Sequence, residues 1–127
     1  MEKLKFILKY IRYYFKSTNE QGIHSPFVYE LLQQAVYVKE DYYAYPVVEK
    51  TRETLLDSDK TISYIDCGAS STGNNPITKS ISSIVKKSAK SPKYAQLLFR
   101  LVNHFQPRNI LELGTSLGIS TSYMALA

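Results

Sequence analysis

Tryptophan is absent from the 127 residues, and cysteine occurs once, as Cys67. A lone thiol cannot close a disulfide within the chain, and no CxxC or Cys/His spacing surrounds it. Neither a disulfide framework nor a zinc site is indicated, and a reducing, cytoplasmic setting is expected. Long apolar runs are missing too: none approaches the ~18 residues that cross a bilayer, so no transmembrane segment is expected. The oily, basic N-terminus does not read as a secretory signal, because Lys9 and Arg12 interrupt it and no small-residue cleavage site follows. Acids are in deficit, 11 against 16 Lys+Arg, for a net charge of +5. The basic residues divide between Lys3, Lys5, Lys9, Arg12 and Lys16 at one end and Lys79, Lys86, Lys87, Lys90 and Lys93 in the middle. Two separate groups favour a solvated surface over a continuous nucleic-acid footprint.

What is present suits one compact domain of modest core, with 44% apolar and 21% charged residues. Leu4, Ile7, Leu8, Ile11, Tyr14 and Phe15 fall at helical spacing with basic residues largely between them, which predicts an amphipathic helix over 2–16. Such a helix either meets a membrane surface or a partner, or packs on its own domain or on a dimer mate; the packed arrangement is the expectation. Ser25 followed by Pro26 is a helix start, since proline at the first position gives up only an orphan N–H, and a helix is predicted over 26–36. His24 stands just before it and reads as a turn residue, because no acid or nucleophile accompanies it. Tyr37, Tyr42, Tyr43 and Tyr45 could stack on a ring-shaped ligand or cover a core. With 11 tyrosines in the chain, core cover is the expectation. A further helix is predicted over 46–57.

Ile62, Tyr64 and Ile65 suggest a short strand, followed by the glycine-bearing loop 66–73. Gly68 and Gly73 have the gap of a phosphate-binding loop, but Asn74 and Asn75 stand where its lysine and hydroxyl would be needed, so an NTPase is excluded. The loop reads as a connection to a helix suggested by Ile77, Ile81, Ile84 and Val85. Farther on, Ser91 and Pro92 start a helix whose Tyr94, Leu97, Leu98, Leu101, Val102 and Phe105 make one stripe, and Pro107 ends it. Asn109 to Leu113 is an apolar run of strand length, of the kind found in buried parallel strands. Gly114 to Gly118 then turns the chain into a packed helix from Ile119 to Ala127.

Strand, glycine turn and helix in that order form the first unit of a doubly wound nucleotide-binding fold, with the ligand beyond the strand's carboxyl end. Gly114 permits a sharp turn and close backbone approach, and Gly118 permits close packing of helix and strand. The Glu112 carboxylate would repel a pyrophosphate but attract an ammonium and sulfonium, so charge favours S-adenosylmethionine over a dinucleotide.

The segment Glu112-Leu113-Gly114-Thr115-Ser116-Leu117-Gly118 resembles the E/D-x-G-x-x-x-G motif of class I S-adenosylmethionine-dependent methyltransferases. Pro92, Gln96-Leu97-Leu98, Ile110 to Ser116 and Gly118-Ile119-Ser120 together resemble the catechol and caffeoyl-CoA type O-methyltransferases. One departure is Ala95, where that group often has glycine. Gly22-Ile23-His24-Ser25-Pro26-Phe27-Val28 is similar to the start of uncharacterised methyltransferases from Bacteroidota. The resemblance implies that Glu112 faces the methionine ammonium through water and that Gly114 and Thr115 line the donor. It further implies that Ser116 and Gly118 belong to the same cofactor-binding turn and that Ser120 reaches the donor carboxylate.

A βαβ unit takes ~30 or more residues, and only nine follow Gly118. The expectation is therefore an α/β, Rossmann-like parent of which this chain is an N-terminal part, itself mostly α-helical with one or two short strands. Residues 1–90 would form a helical region and 91–127 the start of the donor-binding domain. The ribose acid, any metal ligands and any general base would lie beyond Ala127, leaving the chain inactive alone with an unknown small-molecule methyl acceptor. A bare-edged strand at 110–113 would make it a homo-oligomer, most simply a two-fold dimer. The reading from a different class is a non-catalytic helical oligomerisation or interaction module.

Overall fold

The structure, a computed structural model, describes residues 2–17, 22–65 and 76–127. The loop 66–73, with Cys67 and its two glycines, lies outside them. The chain divides into two compact units, Met1–Val38 and Lys39–Ala127.

In the first unit, α1 spans Glu2–Lys16, the range that the periodicity predicts. Neither glycine nor proline occurs in it, and its leucines and lysines are good helix formers. Ser17 closes it by donating its Oγ to the Tyr14 carbonyl at 2.8 Å. Every residue from Lys3 to Lys16 is exposed. The second helix, α2, covers Pro26–Leu31, with proline in the first turn and Ser25 Oγ accepting from the Val28 N–H at 3.4 Å. The predicted single helix to Val36 changes character at Leu32, where Leu32–Val36 winds as a π-helical turn. Tyr37 N–H donates to the Leu32 carbonyl at 2.8 Å, five residues back rather than four.

The second unit opens with α3, Ala44–Leu56. Its start precedes the predicted one by two residues, with Pro46 inside the first turn, where an N–H has no intrahelical partner to lose. Strands β1, Thr61–Ile65, and β2, Pro76–Ser80, pair antiparallel, Thr61 opposite Ser80 and Ile65 opposite Pro76. Ile77 therefore belongs to a strand and not to the helix expected there. Helix α4, Ile81–Ser88, begins four residues later because Ser80 is extended and its Oγ accepts from the Ser83 N–H at 3.3 Å. Next come α5, Pro92–Phe105, ended by Gln106 in a left-handed conformation, and α6, Ile119–Ala125.

Four helices share one core: Ala44, Tyr45 and Val48 of α3, Val85 of α4, Ala95 and Phe99 of α5, and Ile119 and Tyr123 of α6. Residues before and after position 90 thus bury one another. Aromatic edges hold its centre, with ring centroids 5.0 Å apart for Tyr42 and Phe99, 5.5 Å for Tyr45 and Phe99, and 5.8 Å for Tyr45 and Tyr123. Ala95, the departure from the glycine of the catechol-type group, is fully buried here. The tyrosine-rich segment divides accordingly. Tyr42 and Tyr45 pack inward, while Tyr37 and Tyr43 stay exposed, Tyr43 donating its hydroxyl to the Leu126 carbonyl.

The strand expected at Asn109–Leu113 does not form. These residues run irregularly, and Leu111 and Leu113 are 85% and 88% exposed. A strand exists by pairing, and among the described residues β1 and β2 take each other as partners. The architecture is mostly helical with one two-stranded antiparallel sheet, and no parallel sheet occurs among the described residues.

Candidate functional site

The glycine turn adopts the backbone its residue types suggest. Gly114 and Gly118 have φ of +87° and +76°, a region that costs an L-residue roughly 1–2 kcal/mol. Ser116 between them also lies in the left-handed region, at φ +52°. The turn is closed by the Gly118 N–H donating to the Thr115 carbonyl at 3.0 Å, and Gly118 is itself the residue from which α6 starts.

This turn folds Glu112 back over the first turn of α6. Ser120 Oγ donates to Glu112 Oε1 at 2.6 Å, and Thr121 Oγ1 donates to Oε2. The carboxylate is thereby fixed by two hydroxyls, one on each oxygen. A carboxylate has roughly four acceptor sites, so two remain for another donor. Ser120 is oriented toward Glu112 by this bond, whereas the methyltransferase resemblance assigns it to a donor's carboxylate.

A cavity of about 130 Å³ opens beside the turn, walled by Ser88, Lys90, Leu98, Glu112, Thr115 and Ser120, with Gly114 and Ser116 also bordering it. Five of the six residues singled out in the sequence, Glu112, Gly114, Thr115, Ser116 and Ser120, line this hollow. Gly118 stands outside its lining and sets the start of α6. Lys90 and Ser88 come from the junction of α4 and α5, and no spacing in the sequence connects them to Glu112. Tertiary packing alone brings them there, which is why sequence reasoning missed them. Two more hollows border the same turn. One of about 250 Å³ touches Tyr64, Ile84, Ser116 and Leu117, and one of about 290 Å³ touches Ile110, Glu112, Thr115 and Thr121.

A second polar group ties α3 to α6. Tyr123 Oη donates to Glu49 Oε1 at 2.8 Å, and Arg52 Nε donates to Glu49 Oε2 at 2.8 Å. Burial, and then the hydrogen bond and negative charge of Glu49, push the Tyr123 phenol pKa well above its ordinary value. Arg52 Nη2 is buried with no hydrogen-bond partner among the described residues. Arg100 Nη1 donates to the Tyr45 hydroxyl at 3.1 Å within the core. These contacts lie among core side chains and are structural. His24 is exposed ahead of α2, consistent with a turn residue.

Comparison with known proteins finds no family model, no curated protein and no solved structure that matches this chain.

Proposed function

We propose that residues 112–120 hold the methionine end of S-adenosylmethionine, and that the chain is the N-terminal part of a class I methyltransferase acting on a small-molecule acceptor, inactive in isolation. One observation carries the reading: an anchored carboxylate, Glu112, and a lysine, Lys90, border one small cavity beside a turn with two positive-φ glycines. An amino-acid group is a zwitterion, and this pair of opposite charges complements its ammonium and its carboxylate. The Ser116 and Thr115 hydroxyls add neutral donors and acceptors at the same wall. At about 130 Å³ the cavity falls below the ~300–1,000 Å³ of pockets that enclose a whole drug-sized ligand. It therefore suits the amino-acid end of the donor and not its nucleoside. The donor would supply the methyl group, while these residues would bind and orient its far end.

Calorimetry with S-adenosylmethionine tests this on the 127-residue chain and on the longer parent protein that this proposal requires. The parent protein is expected to bind in the micromolar range, with methionine competing. The chain alone is expected to bind more weakly and to transfer no labelled methyl group. Silence of the parent protein toward the donor would refute the reading.

A further inference from the structure

The surface of α1 is not accounted for by the donor site. At about 100° per residue, Arg12, Lys5, Lys16 and Lys9 fall within an arc of about 60° along one side of the helix. The rest of the circumference is apolar or aromatic, apart from Glu2 beside the cations and Lys3, in the first turn, near the middle of the face. Tyr13, Phe6 and Tyr10 hold one flank of it, Tyr14 and Ile7 the centre, and Ile11, Leu4 and Leu8 the other flank. All of these are exposed, Phe6 by 71%, Tyr13 by 68% and Leu4 by 64%. Isolated apolar residues on a surface are ordinary, but an exposed apolar face of this breadth on one helix marks a contact surface.

We infer that α1 is an interfacial anchor that lies along an anionic phospholipid surface, with its apolar face in the acyl boundary and the stripe of Arg12, Lys5, Lys16 and Lys9 at the headgroups. Charge complementarity selects this occupant. Five cations and one acid, Glu2, make up the charged residues of the helix. A second copy would bring the same excess of positive charge and no acidic stripe to meet it. A nucleic acid would take up the cations but leave Leu4, Ile7 and Ile11 in water. An anionic bilayer satisfies both sides at once, because basic residues meet its headgroups while aliphatic residues enter below them. Tyr13 and Tyr10, on the flank, suit the boundary between the two, each having an apolar ring and a polar tip. No helix among the described residues is long and apolar enough to span the bilayer, so this helix would lie in the interface plane.

The absence of tryptophan supplies the assay. In the full chain carrying Phe6→Trp, vesicles of phosphatidylglycerol mixed with phosphatidylcholine should shift the emission to the blue and carry the protein into the pellet, and pure phosphatidylcholine should do neither. The paired change Lys5→Gln with Arg12→Gln should weaken vesicle binding about 25-fold, at about fivefold for each charge near the surface. Ile7→Asn with Ile11→Asn should abolish it. These positions are exposed, so the folded unit should survive each change, with circular dichroism as the control. Equal binding to neutral vesicles, or none to anionic ones, overturns the inference. So does a concentration-dependent blue shift without lipid, which would assign the face to a second copy, or binding of an oligonucleotide that leaves no free chain for the vesicles.

Discussion

Replacing Tyr123 by phenylalanine removes one oxygen from the centre of the second unit and leaves the ring packing in place. In the wild type that hydroxyl donates to Glu49 Oε1 at 2.8 Å from a fully buried side chain. A hydrogen bond to a charged acceptor contributes about 1.5–3 kcal/mol. The lower end applies because Glu49 keeps Arg52 on its other oxygen. A loss of about 1.5 kcal/mol corresponds to a fall in Tm of roughly 6–12 °C for a domain of ~100 residues. The pH dependence separates this hydrogen bond from a simple packing loss. Burial and Glu49 raise the phenol pKa in the folded protein above the ~10 of an unfolded tyrosine. The neutral phenol's contribution is therefore complete below about pH 10 and declines as pH rises from there toward the folded value. The decline is at most about 1.4 kcal/mol per pH unit for one proton. The stability gap between wild type and Tyr123→Phe should thus hold constant from pH 6 to about pH 9.5 and close near pH 11. Urea unfolding followed by circular dichroism across that range measures it. A gap that persists unchanged at pH 11 would refute a neutral, buried donor at Tyr123.

Glu112→Gln keeps the shape of the carboxylate but removes its charge, and should weaken S-adenosylmethionine binding at least about tenfold, or 1.4 kcal/mol, by calorimetry. Gly118→Ala meets no atom within 4 Å of the added Cβ, so only the φ of +76° resists it. The expected cost is about 1–2 kcal/mol, read from thermal unfolding. Leu111→Ser with Leu113→Ser should change stability by less than about 0.5 kcal/mol, because neither side chain is packed. The same pair should lower the apparent mass in light scattering if the chain self-associates through this segment. An unchanged oligomer would move the contact elsewhere.

Helix boundaries were largely legible because each is written in adjacent residues. Pro26 and Pro92 begin helices at the positions where their missing N–H is harmless, and the stripe from Leu4 to Phe15 needs only the helical period to be seen. The strand expected at 110–113 is absent because an apolar run states a need for burial without naming the neighbour that supplies it. β1 found such a neighbour in β2, which the periodicity of Ile77, Ile81, Ile84 and Val85 had disguised as helix. Within the candidate site, Glu112, the two glycines and Ser120 were legible from their close spacing. Lys90 was not, since its place at the same cavity depends on how α4 and α5 pack. The pairing of Ser120 with Glu112 also escaped the sequence, because a hydroxyl one turn into a helix can face a ligand or a neighbouring acid equally well.

Tyr123 also constrains the order of events during synthesis. Chains emerge N-terminus first, and early segments can fold before later ones exist. Here Tyr45, Phe99 and Glu49, all made earlier, complete their packing or pairing only when α6 delivers Tyr123. Arg52 and Glu49 can meet within α3 as soon as that helix forms. The apolar centre of the second unit, by contrast, stays open until residues 119–123 have left the ribosome. A nascent chain halted between α5 and α6 is therefore a helical assembly with an unfilled core, the species on which a chaperone or a protease would act.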